Sequence, residues 1–183
     1  YGYYSEFRYN NKLKKFGLSN FTDSQNNTIK RSDFVRKKGL GQQTYGAIWN
    51  IQYNVDRLDI RGGISAQQFQ GNHFGDLTYV SNTELSDNLL QNGKYRYYDS
   101  DAKKFDANTY IKADFKITDS WTAFADIQYR HVGYSTDGYN DKYIDNGNGT
   151  YSKHYLDIDK NYDFFSPKIG LNFSTDHHNA YIL

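Results

Sequence analysis

The sequence predicts an all-β chain: an antiparallel up-and-down transmembrane β-barrel, of which it would supply only a part, about five to six strands with long extracellular loops. Three observations predict it. Apolar and polar residues alternate with a period of two, the alternating runs are long, and short connections alternate with long ones.

Five runs carry the alternation, the mark of strands with one apolar and one polar face. In the first, Tyr45, Ala47, Trp49, Ile51, Tyr53 and Val55 share a face, opposite Gly46, Asn50, Gln52 and Asn54, with Ile48 as the exception. In the second, Leu58, Ile60, Gly62, Ile64 and Ala66 oppose Arg57, Asp59, Arg61, Gly63, Ser65 and Gln67. The third sets Ala107, Thr109, Ile111, Ala113, Phe115 and Ile117 against Asp106, Asn108, Tyr110, Lys112, Asp114 and Lys116. The fourth sets Trp121, Ala123, Ala125, Ile127 and Tyr129 against Thr122, Asp126, Gln128 and Arg130, with Phe124 on the polar side. The fifth sets Phe165, Pro167, Ile169, Leu171 and Phe173 against Ser166, Lys168, Gly170 and Asn172.

Run length separates two explanations. An ordinary strand has about 5–6 residues, whereas a tilted strand needs about 9–11 to cross a bilayer. These runs reach the longer figure, and their apolar faces hold no Asp, Glu, Lys or Arg. A lysine or arginine facing mid-membrane lipid costs about 2–4 kcal/mol, so its exclusion fits a lipid-facing surface. The side chains expected to face lipid are Tyr45, Trp49, Ile51, Tyr53, Ile60, Ile64, Ile111, Phe115, Trp121, Ile127, Phe165, Ile169, Leu171 and Phe173.

The connections point the same way. Val55-Asp56-Arg57, Thr118-Asp119-Ser120 and Ser174 to Asn179 read as tight turns. About Gln70 to Lys104 and about Ser135 to Asn161 read as long polar loops. Bacterial barrels pair short periplasmic turns with long extracellular loops in this way. Tyr53, Phe115, Trp121, Phe173 and Tyr181 gather beside the short turns, where an aromatic girdle would sit. Asp145-Asn146-Gly147-Asn148-Gly149-Thr150 predicts a hairpin turn inside the second long loop. Segment 5–40, basic in Lys12, Lys14, Lys15, Lys30, Arg31, Arg36, Lys37 and Lys38, is expected to form another loop, partly helical, ahead of the first full strand. Its charge would attract lipopolysaccharide or another anion, or simply be solvated.

Composition narrows the function. Lys+Arg 22 against Asp+Glu 21 leaves a net charge of +1, without the basic surplus of a nucleic-acid binder. Cys is 0, so disulfides, thiolate metal sites and thiol catalysis are absent from the chain. No run of about 18 apolar residues predicts a membrane helix. Aromatic residues at 18% and a single proline argue against disorder. No Walker loop, dinucleotide fingerprint or nucleophile elbow occurs. His73, His131, His154, His177 and His178 form no i, i+4 zinc pair. No catalytic residue, metal or cofactor is expected. The absence of methionine and of a leader at Tyr1-Gly2-Tyr3-Tyr4 is read as an interior piece of a longer protein.

The order of segments resembles the middle of the barrel of a TonB-dependent outer-membrane receptor of the kind common in Bacteroidetes-type bacteria. The residues that carry the resemblance are Lys14-Lys15-Phe16-Gly17-Leu18, Lys30-Arg31-Ser32-Asp33-Phe34-Val35-Arg36-Lys37-Lys38, Gly71-Asn72-His73-Phe74-Gly75, Tyr97-Tyr98-Asp99-Ser100-Asp101-Ala102-Lys103-Lys104, Phe124-Ala125-Asp126-Ile127-Gln128-Tyr129-Arg130-His131 and Phe164-Phe165-Ser166-Pro167-Lys168-Ile169-Gly170-Leu171. The resemblance implies a barrel of about 22 strands with a plugged lumen, of which residues 1–183 would be one segment without plug or TonB box. It implies active uptake, with TonB-derived energy, of an iron–siderophore complex, haem, cobalamin or a glycan. The implied partners are outer-membrane lipid, lipopolysaccharide, TonB through the missing region, and the small-molecule or glycan ligand. In such receptors the long loops hold the ligand, which places His73, Phe74, Tyr95, Tyr97, Tyr98, Tyr139, Tyr143 and Tyr151 as contact residues. Tyrosine offers a flat apolar ring with a hydroxyl at its tip, suited to sugars or aromatic chelates. A secreted β-sandwich that binds carbohydrate and a passive outer-membrane porin stand as alternatives.

Overall fold

A computed structural model describes residues 2–182; Tyr1 and Leu183 lie outside the described part. The chain is all-β. In order come β1 (Gly2–Lys12), a 3-10 turn (Leu13–Phe16), β2 (Phe21–Thr22), β3 (Thr28–Ile29), β4 (Arg31–Val55), β5 (Leu58–Val80), α1 (Thr83–Leu89), β6 (Tyr95–Lys116), β7 (Trp121–Gly147), β8 (Thr150–Ser174) and β9 (Asn179–Ile182). Seven strands form one antiparallel sheet in the order β1-β4-β5-β6-β7-β8-β9, and β2 pairs with β3 in a separate hairpin. Among the described residues the sheet does not close into a barrel; β1 and β9 are its edges.

Two expectations are corrected. The sheet holds seven strands, not five or six. The stretches read as long loops are mostly strand: β5 runs on to Val80, β6 begins at Tyr95, and β7 and β8 meet at a turn around Asn148. Within those stretches residues 81–94 leave the sheet, and they carry α1, capped by the Asn82 side chain accepting from the Leu85 amide at 2.8 Å. The cause is that apolar alternation records what a strand's two faces touch, whereas pairing needs only backbone groups. Where both faces are polar the alternation fades but the ladder continues. Segment 5–40 likewise holds a full strand: β1 pairs with the start of β4, from Gly2↔Leu40 to Lys12↔Arg31. The helical part predicted there is the single 3-10 turn.

The chain divides into two compact units. The first comprises residues 2–43, 70–103 and 135–159; the second comprises 44–69, 104–134 and 160–182. The first has a hydrophobic core of Leu13, Phe16, Phe34, Leu77, Val80, Leu85, Tyr97 and Tyr98. Phe16 packs on Phe34 and Tyr97 at centroid separations of 4.8 and 5.1 Å.

Among the described residues the second unit has no such core, and most of its large apolar side chains are exposed. Of the fourteen side chains expected to face lipid, twelve are exposed, from Leu171 at 37% to Ile169 at 76%; Ile60 and Phe173 are half-buried, the latter stacked on Trp121 at 4.9 Å. The opposite face is polar and holds several ion pairs, while Arg57, Lys116, Asp126 and Lys168 on it take part in none among the described residues. Arg61 bonds Asp59 at 3.1 Å and approaches Asp114 at 3.6 Å, Lys112 meets Asp114 at 3.3 Å, and Arg130 meets Asp106 at 2.6 Å. On the apolar side a polar group appears where the stripe ends: Asp163 accepts from the Tyr129 hydroxyl at 2.5 Å and lies 2.7 Å from His131 Nδ1. Tight turns join these strands, with Asp56 in the left-handed region at φ 46 and Thr175 donating to the His178 carbonyl at 2.8 Å.

Candidate ligand-binding site

The site is a cavity of about 600 Å³ in the first unit. Its walls come from β1, β4, β5, β6 and β7, and each residue is there for a local reason. The β1–β4 register sets Tyr3 opposite Gly39 and Tyr4 opposite Lys38. Gly75 on β5 leaves room for the Tyr98 ring, since a Cβ there would stand 2.2 Å from Tyr98 Cε1. Tyr98 packs edge-on against Tyr97 at 5.0 Å, which ties the cavity wall to the core. His73 and Ser100 lie along the same walls, and β7 adds Asn140 and Asp141.

Its electrostatics are close to neutral. Lys38 Nζ bonds Asp141 Oδ2 at 2.9 Å and stands 5.4 Å from the centre of the Tyr98 ring. Asn140 Nδ2 lies 3.0 Å from His154 Nδ1, which orients the amide. Burial pushes the Tyr98 hydroxyl up to about 12, with the Asp141 and Tyr4 charges adding to it. Tyr98 therefore presents a neutral hydroxyl at any physiological pH. Aromatic faces, an amide, a histidine and a matched ion pair suit a ligand that is neutral, flat or polyhydroxylated.

Of the eight residues placed at the ligand from sequence, the structure brings His73 and Tyr98 into this cavity. The other six stand elsewhere. Phe74 covers Gly39 and lies under the Arg96 guanidinium at 4.3 Å. Arg96 is itself held by Asp76 at 2.8 Å and Asp99 at 2.7 Å, and these carboxylates raise its basicity further, Asp76 first. Tyr97 is 3% exposed, and its hydroxyl is pushed up by burial. Tyr95 and Tyr139 flank Lys153, whose ammonium sits 4.8 and 5.7 Å from their rings and donates to the Arg96 carbonyl at 2.8 Å. Burial holds Lys153 below the ordinary lysine range. Tyr143 and Tyr151 pack edge to face at 5.6 Å around Lys14.

Sequence reasoning missed Tyr3, Tyr4, Lys38, Asn140 and Asp141. Lys38 stood in the basic run; the others lay in stretches without alternation, and only pairing brings them together. No family model matches this sequence, and no curated protein matches it.

Proposed function

We propose that this chain is a wall segment of an outer-membrane active transporter resembling the TonB-dependent receptors, and that it binds and imports a scarce ligand. On this reading residues 44–55, 58–69, 104–116, 121–134 and 160–174 cross the bilayer, and the cavity of the first unit meets the ligand. The ligand class is the one the resemblance implies: an iron–siderophore complex, haem, cobalamin or a glycan. Lipid and lipopolysaccharide would surround the strands, and a TonB-type protein would supply energy through a plug outside residues 1–183.

One observation carries the reading: the exposed apolar stripe of the second unit. Soluble proteins rarely show a contiguous apolar patch beyond about 300–600 Å². Here every crossing segment contributes large apolar side chains, while the reverse face carries the charges, several of them in pairs. Hydrocarbon solvates such a stripe without cost, and the paired charges suit a wet lumen.

Spin labels test it. Labelled cysteines at Ile51, Ile111 and Ile127, and at their neighbours Asn50, Lys112 and Gln128, are to be compared in vesicles for collision with oxygen and with a water-soluble nickel chelate. Strict alternation is expected, with oxygen favoured at the isoleucine positions. Isoleucine positions shielded from both reagents would mean that a second protein layer covers them, which ends the membrane reading in favour of a sandwich.

A further inference from the structure

A second cleft in the first unit, of about 510 Å³, differs from the cavity above in its charge. Its walls carry Lys12, Lys14, Lys30 and Arg31, with Asn20 and Tyr151, and no carboxylate. Among the described residues none of the four cations takes part in an ion pair. Elsewhere in the same unit Arg36 is matched by Glu6, Lys38 by Asp141 and Arg96 by Asp76 and Asp99. A chain of net charge +1 thus gathers four positive groups without an ion-pair partner; the nearby Asp33 carboxylate accepts from the Asn10 amide at 2.7 Å.

The cleft is also held in shape. Lys12 and Arg31 face each other across β1 and β4, and Arg31 Nη1 donates to the Asn10 carbonyl at 2.8 Å. That contact anchors the arm of Arg31 and leaves the rest of the guanidinium fork to donate outward. Lys14 is steadied between the Tyr143 and Tyr151 rings, 5.7 and 5.5 Å from their centres. The opposite wall is tied by Asn20 N donating to the Gly149 carbonyl at 3.2 Å and Tyr151 N donating to Ser19 Oγ at 3.3 Å. The β7–β8 turn there is locked by Asn148 at φ 52 between two left-handed glycines. A guanidinium fork on a fixed frame, with ammonium groups around it, matches the several oxygens of a phosphate.

We propose that this cleft binds a phosphate-type oxyanion, either carried by a lipid headgroup such as the glucosamine phosphates of lipopolysaccharide or presented by a free phosphorylated solute. The site is separate from the near-neutral cavity and lies wholly within the first unit. It therefore stands whether or not the spin labels report lipid at the second.

The test uses the full chain in the protein that carries it, in detergent, with inorganic pyrophosphate as the free probe. Vesicles of phosphatidylcholine with bisphosphorylated lipid A, or with its dephosphorylated form, are the lipid probe. The double variant Lys12→Gln/Lys30→Gln alters two exposed side chains. It is expected to weaken binding about tenfold and to make it less sensitive to salt, because fewer charges are left to screen. The charge-matched Lys15→Gln/Lys94→Gln variant, outside the cleft, should bind as the parent does. Pyrophosphate binding identifies a free solute; binding only to bisphosphorylated vesicles identifies the lipid. Binding to neither probe, or equal loss in both double variants, overturns the proposal. Unchanged near-ultraviolet dichroism and melting in the variants separate lost binding from lost fold.

Discussion

Replacing Ile111 with lysine tests the outward stripe most directly. Ile111 stands midway along residues 104–116, is 54% exposed, and shares its face with Ala107, Thr109 and Ala113. Lys112 follows it immediately but points the other way, where Asp114 meets it at 3.3 Å. The two positions thus compare the two faces at one depth. A lysine at the bilayer midplane costs about 2–4 kcal/mol, which is about 30- to 700-fold in the folding equilibrium. The same change on a strand facing water costs within about 0.5 kcal/mol. Tyr110→Lys is the control on the reverse face; it loses the 3.3 Å bond to Asn50, a contact worth about 0.5–1.5 kcal/mol. Urea unfolding from phosphatidylcholine vesicles, followed by tryptophan fluorescence, reads both. Ile111→Lys falling within about 0.5 kcal/mol of the parent, or Tyr110→Lys costing as much as Ile111→Lys, would refute the assignment of this face to lipid.

Two further outcomes follow from the first unit. Gly138 has φ +113, and a Cβ there would stand 2.4 Å from the Asp99 carbonyl oxygen and 2.9 Å from Ser100 Cα. Because these are backbone atoms that cannot step aside, Gly138→Ala is expected to cost about 1–3 kcal/mol; an unchanged urea midpoint would contradict the strain. Glu6 accepts two hydrogen bonds from Arg36, at 2.9 and 2.6 Å, and this guanidinium holds its carboxyl below the ordinary value of 4.5. A carboxyl with a depressed folded-state value stabilises the fold fully above the ordinary range and loses that contribution as pH falls through the folded value. Amide-exchange protection along β1 should therefore drop with acidification below 4.5. Glu6→Gln should remove that step, and a step that persists in the variant would assign it to another group.

The fold was legible where the two faces of a strand meet different surroundings. In the second unit each run from Tyr45 to Phe173 lies in a strand, and period-two spacing alone decides which side of it a residue takes. In the first unit that signal is absent. Asp137, Gly138, Tyr139 and Asn140 show no alternation, yet they lie in β7, carried there by pairing that runs on from the turn around Asn148. The turn itself was legible, since Asn-Gly steps favour the left-handed backbone. The cavity was legible only in His73 and Tyr98. Tyr3, Lys38 and Asp141 lie far apart in sequence, and no local pattern links an N-terminal tyrosine to a carboxylate on β7.

What the residues alone determined is the alternation, the tight turns and the separation of charged from apolar faces, all properties of neighbours along one chain. What only the tertiary structure decided is how far the ladders extend, which polar side chains converge on the neutral cavity, and that four cations gather where no carboxylate reaches them. Those depend on register between strands distant in sequence. A strand's own residues state which face they prefer, but not which partner stands beside them.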